Sequence, residues 1–169
     1  RTNPLPADIL GGMSAFTVLE AASVEHLAVA RELFVEYANA IGVDLCFQRF
    51  DLELVTLPGR YAPPEGRLRV AFANATPAGC VALRKIGTQT CEMKRLYVRP
   101  QFRAQGLGRA LAQSVIEAAR EVGYARMCLD TLGSMDAAIC LYKSLGFTRI
   151  PSYYDNPHPE AVFMELKLA

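Results

Sequence analysis

A pair of glycines stands where a predicted strand is followed by a predicted helix. Residues 93–98 favour a strand, and Pro100 ends it by removing a backbone donor. Gly106 and Gly108 follow, after which apolar residues recur at helical spacing as far as Val122. The first turn of a helix has amides without intrahelical partners, and glycines let an anion approach them closely. The stretch therefore predicts a binding site for a phosphate or a pyrophosphate.

Two other interpretations of the glycine pair compete with an anion site. In the first interpretation, the glycines only relieve a tight turn between strand and helix. The second is a dinucleotide fingerprint, G-x-G-x-x-G, for which Asp130 lies at a suitable distance. We reject the fingerprint because Leu111 occupies the place of its third glycine and polar residues separate the glycines from the strand. A P-loop is excluded because no Gly-Lys-Ser/Thr sequence follows.

Two sequence motifs resemble the hallmarks of one enzyme family. V-x-P followed by R-x-x-G-x-G, at residues 98–108, resembles the acetyl-CoA signature of the GCN5-related N-acetyltransferases (GNAT). L-Y-K-S-L-G-F, at residues 141–147, resembles the second hallmark of that family. The order and spacing of the motifs, with one predicted helix and one predicted strand between them, match the family over roughly residues 14–169.

The resemblance implies acetyl-CoA as the acetyl donor. The backbone N–H of Leu96 would polarise the thioester carbonyl, and the backbone of Val98 would pair with the pantetheine arm like an added strand. Amides would surround the pyrophosphate, with a charge-assisted contact from Arg103 or Arg109. Many relatives carry an Asn where this chain has Leu-Gly-Ser, so the Ser134 hydroxyl is the alternative contact. The residues expected to bind the donor are Leu96, Tyr97, Val98, Arg103, Ala104, Gln105, Gly106, Leu107, Gly108, Arg109 and Ser134.

Acetyl transfer needs a proton acceptor for the amine and a proton donor for the leaving thiolate. By the same resemblance Glu92 is the candidate general base, Tyr142 is the general acid beside the sulfur of CoA, and the Leu96 amide completes the catalytic groups. The alternative for Glu92 is a solvated strand residue opposite a Lys or Arg. The alternative for Tyr142 is a packed tyrosine with its hydroxyl at the rim of the core. His158 is the base if Glu92 is not.

Two loops are expected to border the acceptor. The Pro-rich segment 58–64 corresponds to one that borders the acceptor pocket in the family, and a rigid connector is its alternative. Residues 151–159 form a loop whose polar and aromatic residues core packing does not explain, and a surface hairpin is its alternative. The acceptor stays open among amino acids, aminoglycoside-like drugs, polyamines and protein N-termini or lysines. The expected acceptor-binding residues are Arg60, Tyr61, Tyr153, Tyr154, Asn156 and His158.

Composition narrows the class of protein. The 169 residues are 51% hydrophobic and 21% charged, which is typical of a globular chain, and the formal charge is +1. No basic run indicates nucleic acid, and no apolar run is long enough to span a membrane. The five cysteines are widely spaced, which indicates reduced thiols and a cytoplasmic location. We expect no metal site, because the two histidines lie far apart and far from any cysteine pair.

The order of the predicted elements indicates an α/β (α+β) protein. Residues 1–12 are expected to be a leader or a tag-like tail, and residues 13–169 a single N-acetyltransferase domain. The pattern predicts a long helix capped by Ser23, an antiparallel meander, a helix after the glycines, a strand parallel to the one before them, and a helix capped by Ser134. The resemblance implies a mixed, mostly antiparallel sheet of six or seven strands flanked by about four helices.

The family resemblance implies acetyl-CoA-dependent N-acetylation of a primary amine, on a small molecule or a peptide, and we expect direct attack in a ternary complex. Proximity of the amine and the thioester would supply most of the rate, and no cysteine is an obvious nucleophile. A module that binds acyl-CoA as a sensor, without turnover, is the alternative. The expected partners are acetyl-CoA and the amine, with neither nucleic acid nor a membrane, and a homodimer stays open.

Overall fold

One sheet organises the part of the chain that the structure describes. The computed structural model describes residues 15–169, so the tail predicted at residues 1–12 lies outside the described residues. Seven strands occur within residues 15–169. In chain order they are β1 (Thr17–Glu20), β2 (Arg67–Ala73), β3 (Thr76–Lys85), β4 (Thr90–Val98), β5 (Arg126–Leu132), β6 (Thr148–Ile150) and β7 (Ala161–Lys167).

Neighbouring strands in the sheet follow the order β1-β2-β3-β4-β5-β7-β6. β4 and β5 run parallel, whereas the other neighbouring pairs are antiparallel. A parallel pair needs a crossover connection, and a helix between β4 and β5 supplies it. The mixed, mostly antiparallel sheet predicted from the sequence is therefore confirmed.

Four α-helices accompany the sheet within residues 15–169. Ser23 caps the first, because its hydroxyl accepts a hydrogen bond from the His26 N–H at 3.1 Å, and Gly42 ends that helix in a left-handed conformation. Left-handed glycines also precede and follow the third helix, at Gly106 and Gly123. The helices are α1 (Val24–Ile41), α2 (Phe50–Thr56), α3 (Leu107–Val122) and α4 (Asp136–Ser144).

The prediction that Ser134 caps α4 is wrong. The N-cap position of α4 is Met135, and no side chain bonds to the amides of its first turn. Ser134 is an exposed residue in the turn before it. A capping hydroxyl must stand immediately before the first helical residue to reach the amides of that turn. The Ser134 hydroxyl is therefore not used for capping.

Hydrophobic cores lie on both faces of the sheet. On one face Leu111 of α3 packs in a cluster that includes Val81 of β3. On the other, Leu33 and Phe34 of α1 share a cluster with Cys80 of β3. Successive residues of a strand point to opposite faces, so β3 contributes to both cores. Each fully buried Leu or Phe contributes roughly 1.5–3 kcal/mol, which makes the centre of the sheet a firm support for the neighbouring strand β4.

The sheet opens between β4 and β5. The two strands pair only at residues 90–92 of β4 and 126–128 of β5. Further along, β4 carries a bulge in which Arg95 and Leu96 together lie opposite Val81 of β3, and Arg95 has a φ of +57°. A bulge bends its strand and increases the local twist. The bulged end of β4 therefore diverges from β5, and the candidate site lies in the gap.

Candidate active site

A cavity of about 900 Å³ occupies the gap between β4 and β5. Its walls come from the bulged half of β4, the end of β5, the start of α3, one side of α4, and the end of α1 with the segment that follows it. The structure thus brings together residues that are far apart in the chain. The predicted site residues that line the cavity are Leu96, Tyr97, Val98, Arg103, Ala104, Gly106, Gly108, Arg109, Ser134, Tyr142, Asn156 and His158.

Backbone amides at the start of α3 form one end of the cavity. Within residues 15–169, no hydrogen bond to a protein acceptor engages the amides of residues 104–109, and the Ala110 amide is the next to be bonded, to the Gly106 carbonyl at 3.1 Å. Gly106 has a φ of +83° and Ala104 a φ of +59°. Left-handed residues among right-handed ones turn successive amides toward one side and form an anion-binding concavity. This end of the cavity therefore fits a phosphate group.

Gly106 and Gly108 keep the space in front of these amides open. A Cβ atom at Gly106 would have no other atom within 4 Å. A Cβ atom at Gly108 would lie 3.6 Å from Leu141 Cδ2 and 3.8 Å from Val98 Cγ2, which are ordinary contact distances. Packing within the protein thus does not require glycine at position 108. The close approach of a ligand to the backbone gives a reason for it.

Two exposed arginines flank the amide end of the cavity. Arg103 donates through Nε to the Val98 carbonyl at 2.9 Å, and its guanidinium lies 5.9 Å from the ring centre of Tyr97. Arg109 donates to Ser144 Oγ at 2.6 Å. These contacts leave further N–H groups of both guanidiniums for an anion. A diphosphate at this end would therefore meet positive charge on both sides.

A network of five polar side chains forms the opposite end of the site. Asp130 of β5 is its centre: Oδ1 accepts from Lys94 Nζ at 3.3 Å, and Oδ2 accepts from the Tyr154 hydroxyl at 2.6 Å and from Asn156 Nδ2 at 3.3 Å. Gln48 closes it, since Nε2 donates to the Tyr154 hydroxyl at 3.2 Å and Oε1 accepts from Lys94 at 3.1 Å. We call these five residues the polar network. Four separate segments of the chain contribute to it.

Lys94 supplies the positive charge of the polar network and is buried, with 5% of the residue exposed. Burial lowers the pKa of Lys94, and the neighbouring carboxylates of Glu92 and Asp130 act in the opposite direction. For Tyr154, burial raises the pKa, and the hydrogen bond to Asp130 raises it further.

Arg95 holds the polar network to α2. Its guanidinium pairs with Glu53 at 2.6 Å and donates to Gln48 Oε1 at 2.9 Å. The same guanidinium lies 5.7 Å from the ring centre of Tyr37 and 5.2 Å from that of Phe50. A planar cation with a bidentate partner and two aromatic neighbours has little freedom to move. Gln48 is thereby fixed where it meets Lys94 and Tyr154.

Tyr142 lies on the cavity wall between the two ends. It is 7% exposed, its ring packs edge-on against Phe147 at 5.8 Å, and no hydrogen bond within the described residues engages its hydroxyl. Burial raises the pKa of Tyr142, and the nearby Tyr37 and Asp130 raise it further. The phenol therefore stays protonated near neutral pH. This state is the one that a proton donor needs.

Glu92 lies behind the cavity wall and is not among the residues that line the cavity. The residue is 1% exposed, and its Oε1 accepts from Arg84 Nε at 2.8 Å. Its Oε2 accepts from the Tyr153 hydroxyl at 2.6 Å, and Lys94 Nζ lies 3.9 Å from Oε1. Both oxygens are thus engaged by side chains that support the site. In this arrangement Glu92 holds Lys94 and Tyr153 in place.

Seven predicted residues are not among those that line the cavity, although the Tyr154 hydroxyl belongs to the polar network and the amides of Gln105 and Leu107 to the amide end. Tyr61 is instead a core residue, 3% exposed, whose hydroxyl bonds to Glu53 Oε1 at 2.5 Å. Arg60 donates to the Lys85 carbonyl at the far end of β3. Leu107 is buried in the core under α3, and the exposed Gln105 donates to the Gln101 carbonyl. The predicted residues off the cavity wall are Arg60, Tyr61, Glu92, Gln105, Leu107, Tyr153 and Tyr154.

His158 reaches the cavity from the loop between β6 and β7. Its ring Nδ1 accepts a hydrogen bond from the Glu160 backbone N–H at 3.3 Å, and the backbone N–H of His158 donates to Asn156 Oδ1 at 2.9 Å. With Nδ1 occupied as an acceptor, the proton of a neutral ring resides on Nε2. In this tautomer His158 offers a donor to the cavity.

Sequence reasoning missed Gln48 and Lys94 and used Asp130 only in the rejected dinucleotide interpretation. A signal exists for Asp130, because it is a charged residue inside a mostly apolar strand sequence, where an unpaired charge is costly, whereas Lys94 stands among other charged residues. Such a position indicates a partner but does not identify it. Gln48 lies in a short helical turn after α1 and carries no comparable signal.

Among residues 15–169, no group of three or more His, Cys, Asp and Glu side chains is arranged to hold a metal ion. No helix in the same part of the chain combines the length and apolar character needed to cross a membrane.

Comparisons with known proteins agree with the fold and the glycine motif. The sequence model of the acetyltransferase (GNAT) family matches residues 29–147. An uncharacterised N-acetyltransferase of Schizosaccharomyces pombe is 43% identical over 81% of this chain and 85% of its own length. A Streptococcus agalactiae acetyltransferase superposes with a TM-score of 0.76 at 21% identity, covering 92% and 99% of the two chains. The Salmonella typhimurium protein yncA, solved with acetyl-CoA, superposes with a TM-score of 0.64 at 24% identity. The match covers 92% of this chain and 95% of that protein. The chain therefore belongs to the GNAT family of acetyltransferases.

Proposed function

We propose that this acetyltransferase moves the acetyl group of acetyl-CoA to a primary amine by direct attack in a ternary complex. The observation that carries the proposal is a single cavity with unpaired helix amides at one end and the polar network at the other. Amides that lack partners suit the diphosphate of the donor, and a carboxylate suits an ammonium. The Salmonella typhimurium structure contains acetyl-CoA and shares this fold, which supports the choice of donor.

The donor would lie along β4 from α3 to the bulge. Amides of residues 104–109 would hold the diphosphate, with Arg103 and Arg109 adding charge. The edge of β4 that no longer pairs with β5 would receive the pantetheine arm as an added strand, and the Leu96 N–H would polarise the thioester carbonyl. Ser134, free of a capping role, is available to the same arm.

Asp130 is the carboxylate that we propose as proton acceptor. The carboxylates that line the cavity within the described residues are those of Asp130 and Asp136, and Asp136 is exposed at the start of α4. Asp130 is close enough to Tyr142 to raise the pKa of its hydroxyl, so the acid and the base would serve one reacting centre. The assignments of Glu92 and His158 as base stay predictions: the Glu92→Gln variant below tests the first, and a pH–rate profile of His158→Phe tests the second.

The reaction then proceeds with a balanced movement of protons. The ammonium of the acceptor gives one proton to Asp130, and the neutral nitrogen attacks the thioester carbonyl carbon and forms the new carbon–nitrogen bond. The carbon–sulfur bond breaks, Tyr142 gives its proton to the departing thiolate, and the nitrogen releases its second proton to solvent as the amide forms. Solvent exchange restores both side chains. Holding amine and thioester side by side supplies most of the rate, because it replaces an encounter in solution.

Detection of released thiol, combined with calorimetry, tests the proposal. We expect heat when CoA is titrated into the protein, and free thiol only when acetyl-CoA and an amine are present together. CoA binding without thiol release over a broad amine panel would favour the acyl-CoA sensor instead. An absence of CoA binding would overturn the proposal.

Other features inferred from the sequence stay predictions. They are the domain boundaries at residues 13–169, the cytoplasmic location and the open question of a homodimer. Limited proteolysis tests the boundaries, cell fractionation the location, and size-exclusion chromatography with light scattering the oligomeric state.

A further inference from the structure

The acceptor half of the cavity carries features that narrow the substrate class. Resting on the proposed function, we propose that the acceptor amine also bears a carboxylate and an apolar group, as amino acids with apolar side chains do. Lys94 and His158 would bind the carboxylate, and Asp130 the amine. An apolar wall beside Gln48 would take the side chain.

The Lys94 ammonium has three N–H groups, and the protein supplies hydrogen-bond acceptors for two of them within the described residues. Within the described residues its hydrogen-bond acceptors are Gln48 Oε1 at 3.1 Å and Asp130 Oδ1 at 3.3 Å. The next oxygen, Glu92 Oε1, lies at 3.9 Å, beyond hydrogen-bonding distance. An ammonium has three N–H groups, and a buried donor without a partner is costly. Because Lys94 lines the cavity, a ligand carboxylate would complete its bonds.

The distribution of charge around Lys94 favours the same ligand. Lys94 and Arg95 both line the cavity, whereas Glu92 and Glu53, which lie beside them, do not. Asp130 is the carboxylate that faces the cavity at this end. The Arg95 charge is paired with Glu53 at 2.6 Å, so the groups that meet a ligand here are the ammonium of Lys94 and the carboxylate of Asp130. An acceptor with several ammonium groups would meet one carboxylate and one repelling cation, whereas a zwitterion would match both signs.

His158 offers a second donor to a carboxylate. Its Nδ1 is occupied by the Glu160 N–H, so Nε2–H is the free donor of the neutral ring, and the residue lines the cavity beside Asn156. A carboxylate has two oxygens and accepts from two separate donors. Lys94 and His158 line the same cavity from β4 and from the loop before β7, so a carboxylate placed between them would accept from two different elements.

From the last residue of α1 to residue 47, every second residue lines the cavity and is apolar. The intervening residues 42, 44 and 46 do not line it. The wall ends at Gln48, which belongs to the polar network, so the apolar surface adjoins the charged groups. A compact molecule with both kinds of surface fits this junction. The residues of this apolar wall are Ile41, Val43, Leu45 and Phe47.

The test compares an amino acid with the amine obtained by removing its carboxylate. We would measure kcat/KM, corrected for the unprotonated fraction of each amine, for L-phenylalanine and phenethylamine, and for L-leucine and isoamylamine. We expect the wild type to prefer the acid by about tenfold or more, since a charge-assisted hydrogen bond would be lost with the carboxylate. Lys94→Gln should reduce this ratio to near one. His158→Phe should reduce it by a smaller factor.

Arg109→Gln is the matched control, because Arg109 lies at the amide end of the cavity. It should raise KM for acetyl-CoA and leave the acid-to-amine ratio unchanged. Equal or reversed preference in the wild type would overturn the inference while leaving the proposed function intact. If no amine releases thiol, the proposed function fails, and calorimetry of L-phenylalanine against phenethylamine on the CoA-loaded protein decides the inference, with equal affinities overturning it.

Discussion

The two ends of the cavity are built from different parts of the chain. At the α3 end the binding groups are the backbone amides of residues 104–109, and their positions depend on φ angles such as that of Gly106. At the other end they are the side chains of the polar network, which come from four separate segments. Every residue has an amide, whereas only particular side chains can form the network. The α3 end is therefore a local property of the sequence, and the polar network is not.

The ends also differ in their exposure to water. Arg103, Gly106 and Arg109 belong to an exposed loop and helix start, while Lys94 is almost fully buried. Water weakens charge interactions at the exposed end, and burial strengthens them at the other. Substitutions in the polar network should consequently have larger effects than substitutions beside the amides.

The largest effect should come from Asp130→Asn. We expect kcat to fall about 10²-fold near neutral pH, because the amine loses its proton acceptor, while the Kd for CoA stays unchanged. The loss should shrink as pH rises, since more of the amine is already unprotonated. A pH–rate profile beside the wild type measures this, and a loss that is constant with pH would show a purely structural role. If the loss of kcat shrinks at high pH in Glu92→Gln and not in Asp130→Asn, then Glu92 is the base.

Glu92→Gln should act mainly on stability. The amide keeps an oxygen for one partner but removes the charge that faces Arg84 and Lys94, so we expect the free energy of unfolding to fall by about 1–3 kcal/mol. Urea denaturation measures the change. Full stability with a collapsed kcat would contradict the placement of Glu92 behind the cavity wall.

Tyr142→Phe should have a smaller effect on turnover than Asp130→Asn. A thiolate is a moderately good leaving group, so its proton donor contributes less, and we expect kcat to fall roughly tenfold with the Kd for CoA little changed. The ring contact with Phe147 is preserved, and the melting temperature serves as the control for packing. If Tyr142→Phe keeps the wild-type kcat at every pH, then Tyr142 is not the proton donor.

Gly108→Ala tests the amide end and should have the smallest effect. Alanine in a helix is favoured over glycine by roughly 0.5–1 kcal/mol, and its Cβ atom meets only ordinary contacts, so stability should hold or rise. Affinity for CoA should nevertheless fall a few-fold, because the methyl group narrows the approach to the backbone. Gly123→Ala is the matched control: its φ of +97° makes alanine destabilising there, and the Kd should not change. Unaltered CoA affinity in Gly108→Ala would show that the glycine serves the turn alone.

The fold was predictable to the extent that its signals are local. The Ser23 cap, the end of α1 at Gly42 and the strand ending before Pro100 follow from residue chemistry within a few positions. The cap predicted at Ser134 was wrong because Met135 takes the N-cap position, and a one-residue shift of a turn cannot be read from residue types. Tyr61, predicted beside the acceptor, lies in the core, since a tyrosine in a Pro-rich segment gives no sign of the direction in which it points.

The amino-acid order alone determined the glycine turn at the start of α3, the periodicities of the strands and helices, and hence the family. Those features depend on neighbours along the chain and on the backbone conformations that glycine can adopt and proline cannot. The tertiary structure alone decided that β4 diverges from β5 and that Gln48, Lys94, Asp130 and Tyr154 meet in the space between. Hydrogen bonds and charges act over a few ångströms in space, whatever the separation in sequence, so only the packed fold could select those partners.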